Sequence, residues 1–195
     1  MEPASLLRLL EETVALMSIK SESKNIHIVI KGGRTNDLTL MIDRLRIQQI
    51  LINLLDNAIK FAHVRSNIEL IVMVTQAKEP NFIDLTISVQ DYGIGISEVD
   101  RDRLFEVFFQ TKDENNKKHN KKSHGLGLHI CKQIARALGG DLILDPNVKI
   151  GAKFNLSLHI EVAEVSTKEI EKYKTITFEK SLLASDDQLD QNLVD

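Results

Sequence analysis

The twenty residues DRLRIQQILINLLDNAIKFA, from Asp43 to Ala62, constrain the fold of this chain more than any other stretch. At about 100° per residue in a helix, Ile47, Ile50, Leu51, Leu54, Leu55, Ala58 and Ile59 gather mostly on one side. Such a face needs a sheet or another helix to cover it. Asp43 is a fitting N-cap. With Asn53 set at zero, Asn57 falls at about 40° and Lys60 at about −20°. A solvated face is the plainer reading of a polar stripe. That reading suits Lys better than two Asn, which are poor helix formers. Two amides and one ammonium on a narrow stripe are a workable set for a hard cation accompanied by phosphates.

Around this helix the periodicity predicts a mixed order of elements. Leu6, Leu7, Leu9, Leu10, Val14 and Met17 predict a first helix over about residues 4–18. Strands are expected at 25–31, 38–42, 67–75 and 82–90, with Lys78 to Asn81 as a turn. Ser97 would cap a short helix near 99–107. A further helix is expected over 126–138, closed by Gly139 and Gly140, before strands at 141–144 and 152–160. Neighbouring strands mixed with three substantial helices predict an α/β two-layer sandwich, a mixed sheet covered by helices.

Composition narrows the class. A chain of 195 residues, 43% hydrophobic and 27% charged, suits one soluble globular domain. A net charge of −3 does not point to nucleic acid. With Cys131 alone no intrachain disulfide forms, which fits a reducing compartment. No apolar run approaches the roughly 20 residues that cross a bilayer, and Met1-Glu2-Pro3 does not open like a secretory leader. A cytoplasmic location is expected, whether or not a longer parent is membrane-anchored. Residues 161–195 carry nine acidic residues against four lysines, a net of −5, and read as an acidic linker or tail. The expected division is therefore a first helix or the end of a preceding helical segment at 1–20, a main domain at 21–160, and the tail.

Three further signals carry chemistry. Asp91-Tyr92-Gly93-Ile94-Gly95-Ile96 follows a strand. A buried Asp there can accept from an exocyclic amine, and glycines let backbone approach a ligand. A simple Asp-Gly turn is the plainer reading. Gly125-Leu126-Gly127-Leu128 opens the late helix, where exposed N–H groups and the dipole favour phosphate. Upstream, Thr111 to His124 holds five lysines against Asp113 and Glu114, a net of +3, as in a basic lid or an ordinary surface loop. Phe105, Phe108 and Phe109 lie within five positions, as core residues or a lid hinge.

In this order the segments resemble those of sensor histidine kinases. QQILINLLDNAIKFA resembles the N box, DYGIGI the first glycine box, RLFEVFFQ the F box, and HGLGLHICKQIARALGGDL the second glycine box with its helix; GAKFNLSL is similar to the last strand. The likeness runs over about residues 4–160. It implies a Bergerat fold, a mostly antiparallel sheet covered on one face by helices, shared with gyrase, Hsp90 and MutL. It implies ATP and Mg²⁺ as cofactors. Asn57 would hold the metal, with Asn53 one turn earlier, Lys60 on phosphate and Phe61 beside the nucleotide. Asp91 would read the adenine amine, with Gly93, Gly95 and Ile96 shaping the pocket. Phe105 and Phe108 would stand at the base of the lid. Ser123, His124, Gly125, Leu126, Gly127 and Leu128 would close it over the triphosphate.

Three differences matter. Hydrolysing relatives carry a glutamate where this chain has Asn53, and an amide cannot take a proton at neutral pH. That favours keeping ATP for transfer, with Asn53, Asn57 and Lys60 as the catalytic set. None of the six histidines (His27, His63, His119, His124, His129, His159) fits the acceptor pattern His-Glu/Asp-x-x-x-Pro. The phosphate acceptor is therefore expected on a separate dimerisation domain, in cis in a longer parent or in trans, with a response-regulator receiver as onward partner. Alternative readings are a nucleotide-responsive binding module and an anti-sigma serine kinase of the same fold. The lid also has Ser123 where the family has glycine, a costlier choice if φ is positive there.

Overall fold

The computed structural model describes residues 1–32, 39–110 and 125–163. The lid residues at 111–124, with Ser123 and His124, and the acidic tail from 164 onward lie outside the described residues. The elements run β1 (Glu2–Ser5), α1 (Leu6–Glu22), β2 (His27–Gly32), β3 (Thr39–Ile42), α2 (Arg44–Phe61), β4 (Asn67–Gln76), β5 (Phe82–Asp91), α3 (Glu98–Arg101), α4 (Gly127–Ala137), β6 (Asp141–Leu144) and β7 (Lys153–Glu161).

Five strands form the main sheet in the order β2-β4-β5-β7-β6. β2 and β4 are parallel; every other neighbouring pair in this sheet is antiparallel. Alternation decides the buried face. Ile68, Leu70 and Val72 of β4, Ile83, Leu85, Ile87 and Val89 of β5, and Phe154, Leu156, Leu158 and Ile160 of β7 are all buried. Helices α1, α2 and α4 complete the same core, α2 contributing the seven apolar residues expected of it. Each such side chain taken fully from water stabilises the fold by about 1.5–3 kcal/mol. The result is the two-layer sandwich, mixed and mostly antiparallel.

Helix α2 begins where Asp43 accepts from the Arg46 amide (3.1 Å). It runs parallel to α1, with Glu12 bound to Arg44, Thr13 Oγ1 accepting from Gln48 Nε2 (3.4 Å) and Lys20 bound to Asp56. Leu6, Leu9, Leu10 and Met17 bury α1 in the common core. The first twenty residues are thus packed into the same domain. Among the described residues no helix is long and apolar enough to cross a membrane.

Several boundaries differ from the sequence reading. The chain starts as a strand: β1 pairs antiparallel with β3, Glu2 opposite Ile42, and Ser5 then caps α1. Strand β2 starts at His27 because Asn25 turns the chain at φ 53°. The helix expected over 99–107 spans only Glu98–Arg101, capped by Ser97 Oγ (3.3 Å), and gives way to turns before Phe108, which has φ 62°. β3 also meets the far end of the domain: Leu40 bridges Val162, and the Ala163 amide donates to Thr39 O (3.0 Å).

Candidate nucleotide-binding site

A cleft of about 390 Å³ opens between α2, the end of β5, the loop after it, the Leu104–Gln110 segment and the start of α4. The α2 stripe forms one wall, with Asn53, Asn57, Lys60 and Phe61 all lining it. Asn57 Nδ2 donates to Asn53 Oδ1 (3.3 Å). That bond uses the amide nitrogen of Asn57, so its Oδ1 is the atom left to accept or to ligate a hard cation. Lys60 Nζ sits 4.6 Å from the centroid of the Phe61 ring. Burial, then the neighbouring charges of Lys20 and Lys24, pull its pKa below the usual lysine value.

The opposite wall is the start of α4. Gly125, Leu126, Gly127 and Leu128 line the cleft. Leu126 caps the helix without a side-chain hydrogen bond. The Leu126 side chain thus takes none of the first N–H groups of α4, which suits an anion. Gly127 lies against the α2 stripe. A Cβ there would stand 2.4 Å from Asn53 Nδ2.

The floor is apolar apart from one acid. Leu54, Ala58, Val89, Leu104, Ala152 and Phe154 line it with Ile94, Gly95 and Ile96. Asp91, at the end of β5, is 5% exposed. Burial pushes its carboxyl up to about 6, against the pull of the Gly93 and Ala152 amides and the charge of His63. The Gly93 amide donates to Asp91 Oδ1 (2.9 Å). An apolar slot with one buried acceptor is fitted to a heteroaromatic base bearing an exocyclic amine.

Gly93 does not line the cleft; it secures α2 to the loop. It bridges Ala62, and a Cβ there would stand 2.1 Å from Phe61 O, so only glycine permits the approach. The three phenylalanines divide their tasks. Phe105 stands behind the floor, its ring edge-on to Phe154 at 6.4 Å and under Lys132 Nζ at 4.4 Å, while its carbonyl accepts from His129 Nδ1 (2.8 Å). Phe108 is 71% exposed, and its amide donates to Gly125 O (3.1 Å). Phe109 lines the cleft instead, with Gln110. Tandem phenylalanines give a sequence no means of telling which faces inward. The apolar floor was equally unannounced, because strand residues such as Val89 and Phe154 look like ordinary core.

The donor set fits a magnesium ion accompanied by phosphates. The carboxylates of the cleft lie elsewhere: Asp91 is in the apolar floor and Asp56 is paired with Lys20. Among the described residues no unpaired carboxylate adjoins the Asn57 amide oxygen, which suits a cation that keeps waters and takes its anionic ligands from a substrate.

An α/β sandwich with an amide stripe facing an open helix start across an apolar slot defines a nucleotide-binding domain. The chain belongs to the histidine kinase-, DNA gyrase B- and HSP90-like ATPase family, whose sequence profile matches residues 42–162. It is 34% identical over 158 residues to the sensor histidine kinase GacS of Pseudomonas protegens, covering 81% of this chain and 17% of that relative. The fold matches full-length ShkA, solved in complex with AMPPNP, at a TM-score of 0.67 and 26% identity, covering 84% of this chain and 32% of that one. It matches the catalytic domain of the histidine kinase ThkA, in a nucleotide-free form, at 0.62 and 26%, covering 82% of this chain and 98% of that one. The fold is that of histidine kinase ATPase domains. The chain spans under a fifth of the length of GacS.

Proposed function

We propose that this chain is the ATP-binding catalytic domain of a two-component sensor histidine kinase. It would transfer the γ-phosphoryl group to a histidine on a separate dimerisation domain, from which a response-regulator receiver takes it. The observation that carries this reading is the meeting of Asn53, Asn57, Lys60 and the α4 start across one cleft, with Asp91 in its floor.

The roles follow from the chemistry of each group. Asp91 accepts the adenine amine. Gly93 and Gly95 shape the loop beside it, and Ile96 packs on the base. Phe61 flanks the nucleotide, and the Lys60 ammonium offsets phosphate charge. The backbone N–H groups from Gly125 to Leu128 receive phosphate oxygens. Mg²⁺, held on Asn57 Oδ1, would neutralise charge building up between the phosphates. Asn53 positions Asn57 and, being an amide, abstracts no proton from water. Attack by water is therefore poorly assisted, and the phosphoryl group is kept for an imidazole nitrogen. Ser123 and His124, with Phe105 and Phe108 at its base, belong to the lid of this reading.

The test is transfer in trans. The purified chain is mixed with labelled ATP and a separately made acceptor domain. Acid-labile label on a histidine of that domain supports the proposal; ATP binding without any transfer sinks it.

A further inference from the structure

We propose that Lys24, in the turn between α1 and β2, is a positioning residue for the cleft: its ammonium fastens the carbonyl end of α2 and so fixes Lys60 and Phe61. The inference rests on the nucleotide-binding reading of the cleft.

A helix end leaves its last carbonyls without partners inside the helix. In α2 the Ala58 carbonyl is the last to receive an intrahelical amide, from Ala62 (2.8 Å). The three that follow are met from outside. Lys24 Nζ donates to Ile59 O (2.6 Å) and to Lys60 O (3.0 Å). The Ile94 amide donates to Phe61 O (3.3 Å). One side chain from α1's end thus serves two of the three carbonyls. A cation at this end also meets the negative pole of the helix.

The turn is built to deliver that side chain. The Lys24 amide donates to Ser21 O (3.1 Å), the Asn25 amide to Glu22 O (2.9 Å), and Asn25 takes φ 53°. The Arg65 amide donates to Lys24 O (3.4 Å), so the backbone of Lys24 is held by the segment that leaves α2.

Lys24 is not among the residues that line the cleft. Besides its charge, which Lys60 feels through space, its effect on a ligand passes through the helix end. Lys60 and Phe61 are the last two residues of α2, so fraying of this turn displaces the phosphate-facing ammonium and the adjacent ring together. Burial and the charge of Lys20 both disfavour the charged form of Lys24. The two carbonyls answer that cost, as hydrogen bonds to a charged donor are stronger than neutral ones.

The experiment is titration calorimetry of the full chain with Mg·AMPPNP at a temperature well below unfolding, alongside melting without nucleotide. Lys24→Ala is expected to bind about tenfold more weakly, about 1.4 kcal/mol. Lys24→Arg, which still donates twice, is expected within about twofold of the parent. On a Lys60→Ala background the further loss from Lys24→Ala is expected to shrink to about threefold or less, since the two act in series. Should Lys24→Ala not fold, Lys24→Gln is read instead, with about threefold weakening expected from its single amide donor. A lower melting temperature with unchanged affinity overturns the proposal, because a purely structural cap would do that. Loss of affinity that Lys24→Arg fails to restore overturns it as well. A parent chain that binds no nucleotide removes the reading of the cleft itself.

Discussion

Gly127 opens α4 directly over the carboxamide of Asn53: a Cβ at Gly127 would lie 2.4 Å from Nδ2 and 2.8 Å from Oδ1. The two walls of the cleft therefore touch through a glycine and an asparagine. The consequence separates two otherwise similar substitutions.

Gly127→Ala collides with the end of a side chain, and Asn53 must move. We expect the fold to survive and Mg·AMPPNP affinity to fall about tenfold, since Asn53 also holds Asn57. Gly93→Ala collides with backbone at Phe61 O, 2.1 Å away. We expect that change to lower the unfolding free energy by about 1–3 kcal/mol. Melting and calorimetry on both variants check the pair, and equal melting losses would contradict it.

Asn57→Asp removes the Nδ2 donor to Asn53 Oδ1 and sets a carboxylate oxygen against that acceptor, and Asp91→Asn puts an amide donor where an amine is to be accepted. Each is expected to weaken Mg·AMPPNP by at least about tenfold. Unchanged affinity in both variants would show that the cleft has been read wrongly.

The pH dependence has a definite sign. The Asp91 carboxyl sits near 6 in the fold, raised chiefly by burial from 3.8. The folded state thus binds its proton more tightly than the unfolded chain. Between those values stability from this group falls as pH rises, and above 6 the cost of the buried charge is fully present, on the order of 3 kcal/mol. Nucleotide binding runs the other way, because a protonated acid is a poorer acceptor for the adenine amine. Chemical denaturation from pH 4 to 8 should show that contribution in the parent and not in Asp91→Asn. Affinity should drop as pH falls through about 6.

Cys131 is buried against α2, its thiol pushed up to about 12 by burial. It is expected to resist alkylation at pH 8 in the native state and to react promptly once unfolded. Rapid labelling of the native protein would contradict this packing.

Legibility in the sequence followed the range of the interaction. Helix α2 and strands β4, β5 and β7 were readable because the period of a helix or strand is written in consecutive residues. Asn53, Asn57 and Lys60 were readable for the same reason. Strand β1 was not, since its partner β3 lies far along the chain and four residues carry no period of their own. The reversal at Phe108 hid which phenylalanine enters the cleft. Lys24 left no trace either, because a lysine that caps a distant helix reads like any exposed lysine.

Strand β3 binds β1 near the start of the domain and Val162–Ala163 near its end. A pull applied through residues 2 and 163 is therefore borne first by that narrow ribbon. The β1–β3 pair is separate from the five-stranded sheet, so Glu2 and Ala163 are both secured at one four-residue strand, Thr39–Ile42.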